Sequence, residues 1–287
     1  MMLNKENGAL QMSLEIFKDN TQLSDMKFSD IKDIILALEK EYSIENKDYL
    51  LNIGSILKKD KRKTVQNLSD RILRFIEKNE EEINRVMDMY NFDKSFGKYT
   101  YIAGVDEVGR GPLAGPIVAA SVVLNLNYNS DRDLILGIKD SKKLSAKSRE
   151  ELSEIIKDRA LYYNIAEIDN DLIDSRGIGW CNNEVLKMAA IDLAIKPEIV
   201  LSDGYAVKNI GLKNEFIIKG DNKSASIASA SIIAKVYRDK KMKGYSKKYP
   251  YYGFEKNVGY GTPEHIDGLK KYGPCPLHRF SFLKNIL

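Results

Sequence analysis

The segment Ala103-Gly104-Val105-Asp106-Glu107-Val108-Gly109-Arg110-Gly111-Pro112-Leu113-Ala114-Gly115-Pro116 runs an apolar stretch into two adjacent acids and then into a glycine-dense turn. Adjacent residues of a strand point to opposite faces. A pair serving one site therefore needs Asp106 in the strand proper and Glu107 turned inward by local twist. The glycines at 109, 111 and 115 permit positive φ angles and close approach of another backbone. Arg110, between two of them, would stand beside exposed N–H groups, a surface suited to a phosphate. Alone, this is an acidic turn with loop glycines. Two further segments change the reading. In Ile199-Val200-Leu201-Ser202-Asp203-Gly204 and in Phe216-Ile217-Ile218-Lys219-Gly220-Asp221, an apolar strand again ends in aspartate. Clustered carboxylates raise one another's pKa unless a cation joins them. Oxygen ligands unaccompanied by Cys or His suit Mg²⁺ or Mn²⁺.

The elements that would carry these acids follow from how glycine and proline are distributed. Residues 1–98 have no proline and three glycines, whereas residues 99–287 hold all seven prolines and the other sixteen glycines. The first part therefore reads as a small helical extension and the second as an α/β domain. In the extension, Phe28, Ile31, Ile34, Ile35 and Leu38 form a helical stripe within Asp25–Tyr42, and Leu68–Met89 repeats the pattern. Between them Lys58-Lys59-Asp60-Lys61-Arg62-Lys63 carries five positive charges in six residues. A solvated helix start and a phosphate-contacting patch both remain open there. The first twenty residues are expected to dock loosely.

In the second part, strands are expected at Tyr99–Val105, Pro116–Leu124, near Leu134–Ile138, at Tyr162–Ile168, Ile199–Ser202 and Phe216–Ile218. Helices are expected from about Ser145 to Asp158, where Ser148 and Glu151 have capping-box spacing, and at Asn182–Ile195. Further helices are expected at Ser224–Met242 and from Thr262, with Pro263 in its first turn. Hairpin-like strands followed by α/β alternation make a mixed sheet flanked by helices.

A net charge of +4 permits a nucleic-acid partner without demanding one. The longest apolar stretch, around Ile117–Leu124, has the length of a buried strand, so no membrane span is expected. Met1–Asp19 lacks a basic region followed by an apolar one, so no signal peptide is expected. Cys181 and Cys275 form neither a C-x-x-C pair nor a disulfide framework. A cytoplasmic protein with reduced thiols is the resulting expectation. Ser224, Ser226, Ser229 and Ser231 have no partnered His, which excludes a serine nucleophile.

Residues 100–283 resemble the bacterial ribonuclease HII family. The resemblance is carried, in order, by Gly104-Val105-Asp106-Glu107-Val108-Gly109-Arg110-Gly111-Pro112, by Asp140-Ser141-Lys142-Lys143-Leu144-Ser145 and by Lys219-Gly220-Asp221. It continues through Ser226–Val236, Gly259-Tyr260-Gly261-Thr262 and His278-Arg279. It implies a ribonuclease H-like five-stranded sheet. The family's four catalytic acids fall on Asp106, Glu107, Asp203 and Asp221, which would hold two divalent ions, Mg²⁺ or Mn²⁺, for in-line attack on a phosphodiester. The implied substrates are RNA–DNA hybrids and duplex DNA containing a ribonucleotide, cut to leave 5′-phosphate and 3′-hydroxyl ends by a monomeric enzyme. Gly109, Arg110 and Gly111 would read the 2′-hydroxyl, the group that separates RNA from DNA at one position. Tyr260 would stack at the RNA–DNA junction. Lys142, Lys143, Lys223, Lys235 and Arg238 would contact the nucleic-acid backbone, Lys235 and Arg238 sharing a helix face.

Some readings are bland by comparison. Asp169, Asp171 and Asp174 read as loop caps, Asp239 as an ion-pair partner, His265 and His278 as isolated structural residues, and Trp180 as a loop anchor. Ser202 departs from the aliphatic residue common before the third aspartate, and Phe280 stands where a second arginine is frequent. The extension, residues 1–98, resembles the helical leader of clostridium-like members. The alternatives are ribonuclease HIII, which lacks the Gly-Arg-Gly turn and has a sheet-rich N-terminal domain, and a catalytically inactive duplex-binding protein. A resolvase or transposase of ribonuclease H-like fold would share acid-tipped strands without these motifs.

Overall fold

The computed structural model describes residue 17, residues 20–284 and residues 286–287. The expectation of loose docking therefore falls, apart from residues 17 and 20, outside the described residues. Two compact units emerge: the described residues up to Arg85 with Asn129–Leu134, and Val86–Tyr128 with Ile135–Leu287.

The first unit is helical, built from α1 (Asn20–Asp25), α2 (Phe28–Lys40), α3 (Lys47–Lys58) and the first turns of α4 (Lys63–Lys94). Spacing by three and four residues puts Ile31, Ile35 and Leu38 of α2 on one buried face, opposite Leu50, Ile53 and Leu57 of α3 and Leu68, Ile72 and Ile76 of α4. Helix α3 was not among the expected elements. The basic cluster after it is partly neutralised locally. Lys58 pairs with Asp70 at 2.7 Å and Arg62 with Asp60 at 2.8 Å, leaving Lys59, Lys61 and Lys63 exposed.

The second unit contains β1 (Ile102–Val108), β2 (Ile117–Val123), α5 (Ala146–Arg159), β3 (Tyr162–Ile168), α6 (Asn170–Arg176), α7 (Ile178–Ile191), β4 (Ile199–Asp203) and β5 (Lys213–Ile217). The helices α8 (Ala225–Ser246), α9 (Phe254–Asn257), α10 (Pro263–Tyr272) and α11 (Phe280–Leu283) complete it. The strands form one sheet of order β3-β2-β1-β4-β5. β1 pairs antiparallel with β2 and parallel with β4, which makes the sheet mixed, as expected. Val185, Leu186, Ala189 and Ala190 of α7 cover one face, against Ala103, Val105 and Ala119. Helix α8 covers the other. It comes so close that a Cβ on Gly104 would lie 2.2 Å from the Ser226 backbone carbon. The Ala/Ser composition of α8 follows from that approach, because larger side chains would hold helix and sheet apart.

Three local expectations are corrected. Leu134–Ile138 is not a strand but a turn, with Gly137 at φ 85° and Leu134, Ile135 and Ile138 buried as loop residues. Helix α5 is capped by Ser145, whose side chain accepts from the Ser148 amide, rather than by a box at Ser148 and Glu151. Strand β5 is an exposed edge strand that ends at Ile217. It begins at Lys213, so the expected Phe216–Ile218 strand lies too far along the chain; Phe216 and Ile218 are exposed, and Ile217 between them is buried.

Candidate active site

Asp106 and Glu107 both lie within β1, opposite Ala120 and Ala119 of β2. On the other side Val105 stands beside Ser202 of β4, so one further step along the parallel register brings Asp106 level with Asp203. Asp221 arrives differently. Beyond β5, Lys219 takes the left-handed conformation at φ 58° and starts a 3₁₀ turn, Gly220–Asn222, which carries the acid. The Gly220 amide donates to Asp203 Oδ1 at 2.7 Å, tying that turn to the end of β4. Asp106, Glu107, Asp203 and Asp221 thus line one cavity of about 470 Å³. Gly109, Arg110, Gly111, Ser141, Lys142, Ser231, Lys235 and Tyr260 complete its wall.

The electrostatics are those of crowded anions. Burial holds the Asp106 carboxyl well above the usual carboxylate range, and the charges of Glu107 and Asp203 push it the same way. Glu107 is raised by burial and by Asp203, against the pull of Arg110, whose Nη1 stands 3.4 Å from its Oε1. Asp221 is raised by burial and by Asp203 and Asp140. Hydrogen bonds orient the acids. Asp106 Oδ1 accepts from the Glu107 amide at 2.8 Å, and Asp221 Oδ1 accepts from Asn222 Nδ2 at 2.7 Å. Ser231 favours the charged form of the Asp106 carboxyl, and its Oγ lies 3.1 Å from Ser141 Oγ. Neither serine was singled out as a site residue in the sequence. The signal was available in the Asp-Ser-Lys-Lys motif and in the serines of α8 that face the sheet.

Among the described residues, no three His, Cys, Asp or Glu side chains stand as a ready-made metal cage. The donor set still fits a hard divalent cation. It is all oxygen, it is crowded with like charge that a cation would relieve, and an open arrangement suits an ion that keeps several of its waters.

The other residues drawn from the sequence divide. Tyr260, 44% exposed, faces Gly111, whose missing Cβ would lie 3.8 Å from its ring. The Arg110 guanidinium sits over the Tyr205 ring at 5.4 Å. Lys142 and Lys235 line the cavity, Lys235 bonded to Asp239 at 2.8 Å as an ion pair. Lys143 and Lys223 stand outside the wall; Lys143 reaches Asn222 Oδ1 at 2.8 Å and so touches the site through Asp221's partner. Arg238 is no backbone contact for a nucleic acid, being fully buried with its donors on main-chain carbonyls. The histidines are not isolated. His265 Nε2 and His278 Nε2 are 2.9 Å apart, and His265 Nδ1 bonds the Tyr260 carbonyl at 2.9 Å. Trp180 lies in the first turn of α7, under Arg176, not in a loop. Asp174 caps the start of α11 through the Phe280 and Ser281 amides.

The chain is similar to known proteins along most of its length. The ribonuclease HII family model matches residues 103–285, and the model of the ribonuclease HII N-terminal domain matches residues 30–97. Ribonuclease HII of Clostridium tetani is 64% identical over 276 residues, covering 96% of this chain and all of that one. That of Clostridium botulinum strain Loch Maree is 56% identical over 265 residues, 92% of this chain and 98% of its own. The crystal structure of the ribonuclease H2 from Pyrococcus horikoshii OT3 superposes with a TM-score of 0.54 at 30% identity, over 63% of this chain and 93% of that one. The structure of the PCNA:RNase HII complex from Archaeoglobus fulgidus also gives 0.54, at 32% identity over 64% and 96%. No helix among the described residues is long and apolar enough to cross a membrane. The chain belongs to the ribonuclease HII family and is a type 2 ribonuclease H, an endonuclease of the hydrolase class.

Proposed function

We propose that the enzyme cuts the RNA strand of RNA–DNA hybrids and nicks duplex DNA on the 5′ side of a single embedded ribonucleotide, with Asp106, Glu107, Asp203 and Asp221 holding divalent Mg²⁺ or Mn²⁺. The observation that carries the proposal is that these four carboxylates share one cavity wall with the Gly109–Gly111 turn and Tyr260. When bound, the ions would activate the attacking water and offset charge on the departing 3′ oxygen.

The chain's own residues do the rest. The Glu107 amide holds Asp106 Oδ1 and the Gly220 amide holds Asp203 Oδ1, while Ser231, backed by Ser141, favours the charged Asp106, so the carboxylates keep their aim. Amide N–H groups of the turn give a ribose 2′-hydroxyl a polar surface that a deoxyribose could not use. Tyr260 offers a ring for stacking, and Gly111 leaves the space in front of it. Arg110, Lys142 and Lys235 offer positive charge to the phosphates.

The test is a nicking assay with Mg²⁺ or Mn²⁺ on a DNA duplex bearing one ribonucleotide, run with the full chain and with residues 99–287. The expected product is one cut on the 5′ side with 5′-phosphate and 3′-hydroxyl ends, and Asp106→Asn should abolish it while duplex binding persists. A duplex left intact by the unaltered protein in both metals would instead favour an inactive duplex-binding protein.

A further inference from the structure

Arg238 and Arg279 are the two largest side chains with no access to solvent. Burying a guanidinium is costly unless its donors are matched. Here the match is unusual. All of their hydrogen bonds among the described residues go to main-chain carbonyls, and neither forms an ion pair there. Arg238 donates from Nε to Pro116 O at 2.9 Å, from Nη1 to Val258 O at 2.8 Å and from Nη2 to Ala114 O at 3.1 Å. Arg279 donates from Nη2 to Gly109 O at 2.6 Å and to Gly115 O at 2.8 Å, from Nε to Gly115 O at 2.9 Å, and from Nη1 to Arg110 O at 3.0 Å. Its own amide donates to Leu113 O at 2.8 Å, and its guanidinium lies over the Phe282 ring at 5.3 Å. The turn from Gly109 to Gly115 is wrapped around one planar cation.

Peptide planarity gives that wrapping a consequence. In a trans peptide the C=O of one residue and the N–H of the next point in opposite directions. Turning the Gly109 carbonyl down onto Arg279 turns the Arg110 N–H up. Turning the Arg110 carbonyl down turns the Gly111 N–H up as well. Gly109, Arg110 and Gly111 line the cavity that holds the four acids, so those amides face it. Neither amide donates to a carbonyl among the turn and loop bonds of the described residues. A lysine at 279 would keep the charge but not the planar fork that holds three carbonyls at fixed angles.

We infer that Arg279, outside the cavity wall, is the positioning residue for ribose selection: by holding the carbonyls of Gly109 and Arg110 it aims the amides of Arg110 and Gly111 at a ribose 2′-hydroxyl. The inference rests on the reading that the Gly109–Gly111 turn recognises ribose. Arg238 is the internal control, since it is equally buried and holds carbonyls of the same loop but not those of Gly109 or Arg110. Burial pushes the Arg279 guanidinium down to about 9, which leaves it charged at neutral pH.

The experiment measures binding in an Asp106→Asn background with Mg²⁺, using a fluorescent DNA duplex with one ribonucleotide and its all-deoxy copy. The readout is the ratio of the two Kd values. Adding Arg279→Lys should lower the ribose preference by about ten-fold, the scale of one net hydrogen bond lost to a hydroxyl, with all-deoxy binding unchanged. Adding Arg238→Lys should leave the preference intact. A folded Arg279→Lys protein that keeps its ribose preference, or that loses affinity for both duplexes alike, overturns the inference, the second result marking a merely structural residue. If the lysine variant does not fold, Arg279→Gln, which keeps a planar head, is judged by the same ratio. Absence of any ribose preference in the Asp106→Asn parent would locate the failure in the ribose-reading function itself.

Discussion

Asp93, near the end of α4, is fully buried against the first turn of α8. Its Oδ2 accepts from the Ser226 amide at 2.9 Å and from Ser226 Oγ at 2.7 Å. A helix N-terminus favours a carboxylate by about 0.3–1 kcal/mol, and up to ~2 kcal/mol in partly buried geometries. Here burial outweighs those hydrogen bonds, and the carboxyl is pushed up to about 6. The folded chain therefore keeps a proton that the unfolded chain releases near pH 4. Stability from this group is full below that pH and is lost as pH rises through about 6. The rise from 3.8 to about 6, at 1.36 kcal/mol per pH unit, corresponds to about 3 kcal/mol. Asp93→Asn is neutral at every pH and keeps an acceptor for the Ser226 amide. The stability difference between variant and unaltered protein should thus shift in the variant's favour by about 3 kcal/mol between a pH well below 4 and pH 7.5. For a domain of this size that is a relative shift of about 6–12 °C in Tm. Thermal and urea unfolding of the chelator-treated proteins would measure it. The raised acids Asp106, Glu107 and Asp221 drift the same way, but they are present in both proteins and cancel. A difference constant across that range would refute the raised carboxyl. A difference moving the other way would mean that the helix terminus wins over burial.

The remaining predictions concern the cavity. Asp106→Asn removes one of four crowded acids, so without metal it should raise Tm by about 2–8 °C, the equivalent of 1–2 kcal/mol, and it should blunt the Tm rise on adding Mn²⁺; a lowered Tm contradicts the account of Asp106 as a strained anion. Because Asp106, Glu107 and Asp221 all sit above their ordinary values, metal binding should strengthen with rising pH and release protons, which calorimetry in buffers of different ionisation enthalpy would detect. Ser231→Ala should weaken metal binding by about ten-fold with little change in fold, as loss of an orienting partner does; unchanged affinity would reduce the serine to packing. Tyr260→Ala should impair single-ribonucleotide duplexes about ten-fold more than long hybrids, within the ~1–3 kcal/mol of a lost stack, and equal losses would reject a junction role.

How much of this was legible depended on whether the determining contact was local. Strands β1 and β4 could be read because an apolar run, an acid and a glycine follow one another in the chain, and those runs are buried in the sheet centre. Strand β5 misleads at the same resolution of reading. Phe216 is exposed on this edge strand, Ile218 is exposed just beyond its end, and the route to Asp221 passes through a left-handed Lys219 that no hydrophobic pattern announces. Leu134, Ile135 and Ile138 are apolar because a loop buries them, which periodicity cannot tell from a strand. Helix α3 went unseen with Gly54 in its middle, a residue that ordinarily marks a break, although here it packs beside Ser69 and Ile72. Lys235 and Arg238 lie three apart on α8, yet one borders the cavity and the other is sealed beneath the turn. The partners that decide this, the carbonyls of residues 114, 116 and 258, are distant in sequence.

The cavity and the layer under it are built on opposite electrostatic plans, and the difference bears on how the Gly-Arg-Gly turn is held. Above, carboxylates crowd together with raised pKa values and await positive charge. Below, two guanidiniums are buried with no ion pair among the described residues, and every nitrogen of each donates to a main-chain carbonyl. The cations thus neutralise nothing in the cavity; what they fix is the direction of peptide groups. That arrangement demands glycine at 109. Its φ of 95° is a conformation that side chains rarely adopt, and a Cβ there would lie 2.3 Å from Arg238 Nε and 2.8 Å from the Pro116 carbonyl oxygen. Relieving either contact means moving an arginine held by three main-chain carbonyls, or one of the carbonyls that holds it. A methyl group at position 109 would therefore have to lift residue 109 itself, and with it the carbonyl that Arg279 holds, although it touches neither the acids nor the substrate.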